Sequence, residues 1–259
     1  MDLGIKGKTA LVCASSRGLG KACATALARE GCNVFINGRN LESLEVAARE
    51  IESVTGARPT IIQADINTEA GRAAVFAACP QTDILVNNNG GPEPGRIKDW
   101  SVADWQAAFE SNLLAPAMLI KHYIPGMRER KFGRIVNITS AMVKSPSIQM
   151  GLSAAVRAGL TALCKSVQRE SVPDNVTINN LLPERFDTDR QVYMAERMMK
   201  AENITREQAR AKIAATIAAK RLGDPAEFGD ACAYLCSAQS GFVSGQNLQL
   251  DGGSYAGLV

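Results

Sequence analysis

Residues 9–20, TALVCASSRGLG, decide the fold of this chain. The first five are the apolar run of a buried strand, and the glycines at 18 and 20 form a turn that opens an alanine-rich helix over residues 18–30. Glycines at a strand-to-helix turn let the backbone approach a pyrophosphate, whose charge suits the N-terminus of the helix. This stretch therefore predicts a dinucleotide site at the end of the first strand.

The same alternation of short apolar runs and amphipathic stretches continues along the chain. A second helix is predicted at residues 41–54, and further strands at 33–37, 60–64, 83–87, 134–138, 176–180 and 248–250. Nearly continuous apolar strands between helices are typical of a parallel sheet covered on both faces. We therefore predict one α/β domain over residues 1–259, a doubly wound Rossmann-type parallel sheet with helices on both faces and its ligand beyond the carboxyl ends of the strands.

Composition argues against several classes of protein. Apolar residues make up 46% of the chain, the formal net charge is +3, and the basic residues are scattered, which favours neither a nucleic-acid nor a membrane partner. The N-terminus lacks a signal pattern and no apolar stretch is long enough for a membrane span, so a cytoplasmic location is expected. The seven cysteines are dispersed and there is one histidine, which predicts buried reduced thiols and no metal site.

A helical segment at residues 191–220 interrupts the strand–helix alternation. Its start signals include a capping-box sequence at Thr205, and it carries Tyr193, Met194, Met198 and Met199. Such a methionine stripe has two interpretations, ordinary core packing or a helical substrate lid over about residues 188–220. The sequence leaves both open.

Several further motifs occur in a fixed order along the chain. They are Asp65-Ile66, NNNG at 87–90, Asn112, Ser140, the segment 183–188, RLGDP at 221–225, VSG at 243–245 and DGG at 251–253. Together with residues 13–20 they resemble the short-chain dehydrogenase/reductase family over essentially the whole chain, in particular members like the 3-oxoacyl-acyl-carrier-protein reductases. The resemblance implies a set of cofactor-binding positions: Ser16, Arg17, Gly18, Leu19, Gly20, Arg39, Asp65, Ile66, Asn88, Gly90, Arg157 and Thr188.

The charge at the second strand indicates which dinucleotide is bound. Family members that bind NAD place an acid at the end of this strand, where the present chain has Gly38 followed by Arg39. Arg39 and Arg17 suit a 2′-phosphate through charge-assisted hydrogen bonds, whereas a carboxylate would be needed for the ribose hydroxyl. We predict NADP(H) as the cofactor, with NAD(H) as the alternative. The simplest competing interpretation is that Arg39 is only a solvated residue at the start of a helix.

The catalytic positions depart from the family. Its chemistry uses an Asn-Ser-Tyr-Lys set, and Asn112 and Ser140 match the first two members. The tyrosine should lie thirteen residues after the serine, which is Ser153, and the lysine position is Arg157. Neither side chain replaces the phenol as a proton donor, because a serine hydroxyl is not acidic near neutrality and an arginine does not deprotonate in proteins. The candidate catalytic set is therefore Asn112, Ser140, Ser153 and Arg157.

Three functions remain open at this point. The first is an NADP(H)-dependent oxidoreductase that reduces a carbonyl or oxidises an alcohol of a small molecule, with a non-standard proton donor such as Lys144, a substrate group or relayed water. The second is a non-redox enzyme on this scaffold, with Asn112, Ser140, Ser153, Arg157 and Glu184 as a polar site. For Glu184 itself, a local pair with Arg185 or Arg157 and a contact with substrate both stay open. The third is a nucleotide-binding regulatory protein. The resemblance also implies a homodimer or homotetramer formed by the helices at about 115–130 and 153–170.

Overall fold

A computed structural model describes residues 2–258 and contains a seven-stranded sheet in the order β3-β2-β1-β4-β5-β6-β7. All neighbouring strands are parallel. The chain winds outward from β1 in one direction and then from β4 in the other, so the predicted doubly wound sheet is confirmed. The strands are β1 (Thr9–Val12), β2 (Asn33–Gly38), β3 (Thr60–Gln63), β4 (Ile84–Asn87), β5 (Gly133–Ile138), β6 (Val176–Pro183) and β7 (Asn247–Leu250).

Helices cover both faces of the sheet, as predicted. One face packs against α1, α2 and α9 around Leu27, Leu44 and Phe228, and the other against α3, α5 and α6 around Leu119 and Leu160. Each strand is therefore buried on both sides, which explains its nearly continuous apolar sequence. The helices are α1 (Gly18–Arg29), α2 (Leu41–Thr55), α3 (Glu69–Ala78), α4 (Val102–Phe109), α5 (Ala115–Glu129), α6 (Gly151–Ser171), α7 (Asp189–Glu202), α8 (Arg206–Ala215) and α9 (Pro225–Cys236).

The segment predicted as helical over residues 191–220 consists of two helices, α7 and α8, and residues 216–220 are not helical. The helix α7 ends at Asn203, whose φ of 53° is left-handed, and α8 begins with the predicted capping box at Thr205. The three methionines pack where α7 meets α8, against Ala195, Ala209 and Ile213. That contact supports the core-packing interpretation of the methionine stripe.

Four asparagine side chains form a hydrogen-bonded row across the second half of the sheet, here called the asparagine ladder. The amide of Asn87 donates to Asn137 Oδ1 at 2.9 Å, Asn137 donates to Asn180 Oδ1 at 3.0 Å, and Asn180 donates to Asn247 Oδ1 at 2.8 Å. Parallel register places each pair side by side on β4 to β7. Buried amides are tolerated only when bonded, so each member depends on its neighbours.

Smaller predictions are also settled. All seven cysteines are buried free thiols, and burial raises the pKa of Cys13 to about 12. The His122 ring stacks on Phe76 at 3.7 Å between centroids. Over residues 2–258, no helix has both the length and the hydropathy that a bilayer crossing requires.

Candidate functional site

The turn after β1 packs tightly against the end of β4. Asn88 donates its side-chain amide to the Ala14 carbonyl at 3.0 Å. A Cβ at Gly20 would lie 2.5 Å from that carbonyl oxygen and 2.7 Å from Asn88 Nδ2, so only glycine fits. Ala14 itself has a φ of 43°, a left-handed conformation that an alanine adopts at a cost. The structure thus brings together the predicted cofactor residues Gly20 and Asn88.

The helix α1 begins at Gly18, directly after the turn that follows β1. No side chain caps it, and its first turn carries no acidic residue. By contrast, Asn40 caps α2 and Thr68 caps α3 through hydrogen bonds to backbone N–H groups. Thr188, at the start of α7, lies 3.7 Å from where a Cβ of Gly18 would be. Free N–H groups and a positive helix end fit a pyrophosphate at this position.

The predicted 2′-phosphate residues lie at the surface beside this helix end. Arg39 is exposed, and its guanidinium makes no ion pair within residues 2–258. Arg17 is not equally free, because its Nη1 lies 3.4 Å from Asp189 Oδ2, with both side chains at least 70% exposed. Such an exposed pair is weak and exchanges readily for a phosphate. At Gly38 there is no carboxylate to accept from a ribose hydroxyl.

The segments after β3 and β4 lie against each other. Ile66 is buried, and Asp65 Oδ1 accepts from the backbone of Asn67 at 3.0 Å. Asn89 follows Asn88 in this segment, and its side chain is hydrogen-bonded within the protein. Its amide donates to Asn67 Oδ1 and to the Ser111 carbonyl, and its Oδ1 accepts from the backbone of Gly90. Asn89 therefore ties two loops together, whereas Gly90 borders open space.

Asn112 lies in a π-helical turn, Glu110–Leu114, between α4 and α5. Such turns often mark functional positions. Its amide donates to Ser111 Oγ at 2.7 Å and to the Gly90 carbonyl at 3.2 Å, but its Oδ1 is buried without a partner in the described chain. Asn87 Oδ1 is also unpartnered, and both asparagines line a small internal cavity with Arg157. Unmet buried acceptors cost about 1–3 kcal/mol each, so this cavity suits a polar ligand atom or a water.

Ser140 and Ser153 both keep a hydroxyl available. Ser140 begins a short 3₁₀ turn after β5, and its Oγ accepts from the Met142 backbone at 3.2 Å, which leaves the hydroxyl hydrogen free to donate. Ser153 lies in α6 and is 4% exposed, and its Oγ makes no hydrogen bond within residues 2–258. A Cβ at Gly91 would be 3.9 Å from Ser153 Oγ and 3.5 Å from Arg157 Nη2. Gly91 therefore faces the two altered catalytic positions.

Arg157 is a structural tie rather than a free cation. Its Nη1 donates to the carbonyls of Ile138 at 2.7 Å and Thr139 at 2.9 Å, and its Nη2 donates to Asn89 at 3.4 Å. Burial, together with the nearby charge of Arg190, lowers the pKa of Arg157 to about 10. It therefore remains protonated at neutral pH and fixes α6 to the end of β5.

Glu184 pairs with Arg185 and not with Arg157 in the described chain. Its Oε1 lies 3.8 Å from Arg185 Nε, whereas no carboxylate in the described chain pairs with Arg157. Burial raises the pKa of Glu184; the Arg185 charge opposes that shift and Asp251 adds to it. A local pair with Arg185 is therefore what the structure contains.

The sequence reasoning missed two residues that the fold places near these groups. Arg190 of α7 donates to the Pro92 carbonyl at 3.2 Å, close enough to Arg157 to affect its pKa. Tyr255 lies beside Lys144, whose Nζ is 5.4 Å from the ring centroid. No local motif signals either residue, because both contacts join segments distant in sequence.

Comparison with known proteins extends over nearly the whole chain. A family model described as enoyl-(acyl carrier protein) reductase matches residues 13–255. The NADPH-dependent reductase BacG of Bacillus subtilis is 32% identical over 252 residues, covering 95% of this chain and 97% of BacG. The 3-oxoacyl-[acyl-carrier-protein] reductase FabG of Vibrio cholerae is 31% identical, with coverage of 98% and 99%. L-sorbose reductase from Gluconobacter frateurii, solved with NADPH and L-sorbose, superimposes with a TM-score of 0.94 at 28% identity over the full length of both chains.

Proposed function

Because this chain belongs to the short-chain dehydrogenase/reductase family, we propose that it is an NADP(H)-dependent oxidoreductase that reduces a carbonyl, or oxidises an alcohol, of a small molecule. The observation that carries the proposal is the N-terminus of α1, which has no side-chain cap and no acid in its first turn. It is supported by the exposed Arg39, which makes no ion pair within residues 2–258, and by the lack of an acid at Gly38. These features fit both the pyrophosphate and the 2′-phosphate of one ligand.

The remaining cofactor positions are assigned from the family resemblance. In this proposal Ser16, Leu19 and the α1 backbone hold the pyrophosphate, and Arg17 and Arg39 hold the 2′-phosphate. Asp65 and Ile66 border the adenine, and Asn88, Gly90, Arg157 and Thr188 border the nicotinamide half. When bound, the nicotinamide supplies or accepts the hydride, and the protein positions it against the substrate.

The chain's own residues supply the polar part of the reaction site. Ser140 donates its free hydroxyl hydrogen to the substrate oxygen, and Asn112 offers an unpartnered acceptor in the pocket that Arg157 also lines. Arg157 contributes positive charge but no transferable proton, because a guanidinium stays protonated. Ser153 has no base bonded to it, so it orients rather than protonates. The proton must therefore come from another group.

We also propose that residues 188–220, α7 and α8, cover the substrate. Thr188 lies against the Gly18 turn, and Arg190 is bonded to the Pro92 carbonyl, so the start of α7 contacts both the cofactor turn and the loop after β4. The three methionines pack between these two helices, against Ala195, Ala209 and Ile213. Packing and lid roles are thus compatible, since they use different residues.

The test is NADPH consumption across a panel of small ketones and aldehydes. We expect turnover in the wild type and a loss of roughly 100-fold or more in kcat/KM for Ser140→Ala, with NADPH affinity unchanged. Ser145→Ala, an exposed serine in the same loop, is the matched control and should behave as wild type.

NADPH binding without consumption by any carbonyl would favour the second candidate, a nucleotide-binding regulatory protein or a non-redox enzyme. The observation on its side is that Arg157 donates to carbonyls and Ser153 is buried, so neither performs the family's proton transfer. An equal rate for Ser140→Ala and wild type would likewise argue against the reductase.

Assembly is proposed on the resemblance alone, as a homodimer or homotetramer paired through α5 and α6. In α6, Leu160 and Cys164 fill the core, but Leu163 stays partly exposed and is available to a second copy. Light scattering at micromolar concentration should give at least twice the monomer mass of 27.6 kDa. A mass equal to that of the monomer rejects the pairing.

A further inference from the structure

Two arginines contact the loop that follows β4, one from α6 and one from α7. A Cβ at Gly91 would be 3.5 Å from Arg157 Nη2 and 3.9 Å from Ser153 Oγ. The carbonyl oxygen of the next residue, Pro92, accepts a hydrogen bond from Arg190 Nη2 at 3.2 Å. Consecutive Cα atoms are about 3.8 Å apart, so both guanidinium groups lie against the same short stretch of backbone.

This loop connects Arg190 to the reaction site. Arg157 Nη1 donates at 2.9 Å to the carbonyl of Thr139, the residue that precedes Ser140. The path from Ser153 Oγ through the loop places Arg190 Nη2 at most about 15 Å away. The two cations also repel each other, since burial and then the charge of Arg190 lower the pKa of Arg157 to about 10. Arg190 is therefore within one small-molecule length of the reaction site.

Arg190 is held in position and still has unused hydrogen-bond donors. Its Cζ lies 5.5 Å from the centroid of the Tyr193 ring, and its Nη1 is 3.7 Å from Glu93 Oε1, too far for a hydrogen bond. Within residues 2–258 its guanidinium makes one hydrogen bond, the one to Pro92, and 38% of the side chain is exposed. A guanidinium carries five N–H donors in a rigid fork that matches a carboxylate. Arg190 is thus preorganised to bind an anion.

The acidic side chains near Arg190 do not balance its charge together with that of Arg157. Glu93 is shared, because its Oε2 accepts from the Tyr193 hydroxyl at 2.7 Å and lies 3.7 Å from Arg197 Nη1. The acids at the entry to α7 pair with other arginines, Asp187 with Arg210 and Asp189 with Arg17. Positive charge is therefore in excess around this loop, which favours an anionic ligand.

We propose that the substrate is an oxo acid, whose carboxylate binds Arg190 while its carbonyl oxygen accepts from Ser140. This inference rests on the proposed function, since it assigns the substrate class of the same reaction site. Arg157 contributes charge but little direct contact, because its N–H groups donate to backbone carbonyls. Arg190 makes the direct contact and determines specificity. Its bond to the carboxylate also joins the substrate to α7, the helix proposed to cover it.

The first experiment compares acids with their uncharged counterparts. NADPH oxidation is measured with pyruvate, levulinate and longer methyl-ketone acids, each beside its methyl ester. In the wild type, kcat/KM for the best acid should exceed that for its ester at least about tenfold. Arg190→Gln should raise KM for that acid roughly 10- to 100-fold, with kcat and the ester little changed. Arg190→Lys should keep part of the preference, since it retains the charge without the fork.

The matched control is Arg197→Gln. Arg197 lies on the same helix and near the same Glu93, but it makes no hydrogen bond to the loop within the described residues. Its loss should leave the ratio of acid to ester unchanged. A wild type that reduces esters as well as acids overturns the proposal. A loss of NADPH affinity in Arg190→Gln, in place of the change in KM, would assign Arg190 to the cofactor and overturns it too.

The second experiment needs no turnover. Hexanoate, a carboxylate without a reducible carbonyl, is titrated into the NADPH complex by calorimetry, with hexanamide as the uncharged control. Binding of hexanoate should weaken about tenfold in Arg190→Gln and not in Arg197→Gln. Arg190-dependent binding without reduction of any carbonyl supports the anion site and rejects the reductase function. Reduction of uncharged ketones without Arg190-dependent binding supports the reductase and rejects the anion site, and absence of both rejects both.

Discussion

The two halves of the sheet offer their ligands different kinds of group. Around β1 to β3 the site is mainly backbone: a helix end without a side-chain cap, and Gly20 packed against the Ala14 carbonyl. Around β4 to β7 it is mainly side chain: the asparagine ladder, Ser140, and the guanidinium of Arg157. In the site proposed above, the first half keeps the family's glycine turn, whereas the second carries Ser153 and Arg157 at the positions predicted for the phenol and the lysine.

The difference shows what each kind of site tolerates. A site of backbone N–H groups survives most substitutions, since every residue except proline carries the same donor. A site of side chains changes its chemistry with one substitution, because only particular groups transfer protons. Arg157 illustrates this, because it carries a positive charge as a lysine does, but its N–H groups donate to the carbonyls at the end of β5. Cofactor binding and proton transfer can therefore evolve separately in one fold.

The largest expected effect tests the cofactor half. Arg17→Ala combined with Arg39→Asp removes two cations and supplies an acid. Each lost charged hydrogen bond to the 2′-phosphate costs about 1.5–3 kcal/mol, so NADPH affinity should fall at least about 100-fold. NADH affinity should hold or rise. Nicotinamide fluorescence titration measures both. Arg221→Ala, which removes an exposed arginine paired with Glu227, is the control. Equal NADPH and NADH affinity in the wild type would contradict the charge argument.

The next effect tests the side-chain half. Asn137→Ala leaves the Asn87 amide and the Asn180 carbonyl oxygen of the ladder without their partner, so the free energy of unfolding should drop by about 2–4 kcal/mol. Urea unfolding followed by circular dichroism measures it. Asn33→Ala, at an exposed strand start, should cost less than about 1 kcal/mol. A similar loss in both variants would mean that the ladder adds nothing specific.

The smallest expected effect is a pH-dependent change in stability, caused by Glu184 at the end of β6. Burial raises the pKa of Glu184, so the folded state binds more protons than the unfolded state, and stability falls as pH rises through the glutamate range near about 4.3. Glu184→Gln should therefore stabilise the protein slightly at pH 7 and not below about pH 4. Thermal unfolding at both pH values measures it, with Glu207→Gln on exposed α8 as control. Stabilisation that is equal at both pH values would sink the argument.

The sequence by itself determined the sheet, its two covered faces and the cofactor turn. These depend on local signals, because apolar periodicity and glycines at a strand end constrain the backbone within a few residues. The predicted strand bounds lie within three residues of the observed ones. The assignment of Ser153 and Arg157 to the family's tyrosine and lysine positions also comes from the sequence alone, and it stays a prediction.

Only the tertiary structure decided what the side chains contact. The asparagine ladder requires strand register, the engagement of Asn89 with Asn67 requires two loops to meet, and the Lys144–Tyr255 contact crosses the end of β6. Each joins residues far apart in the chain, and a hydrogen bond or ring contact depends on distances of a few ångströms that no local pattern encodes. A sequence names the groups available to a site, and the packing of strand on strand determines which of them meet.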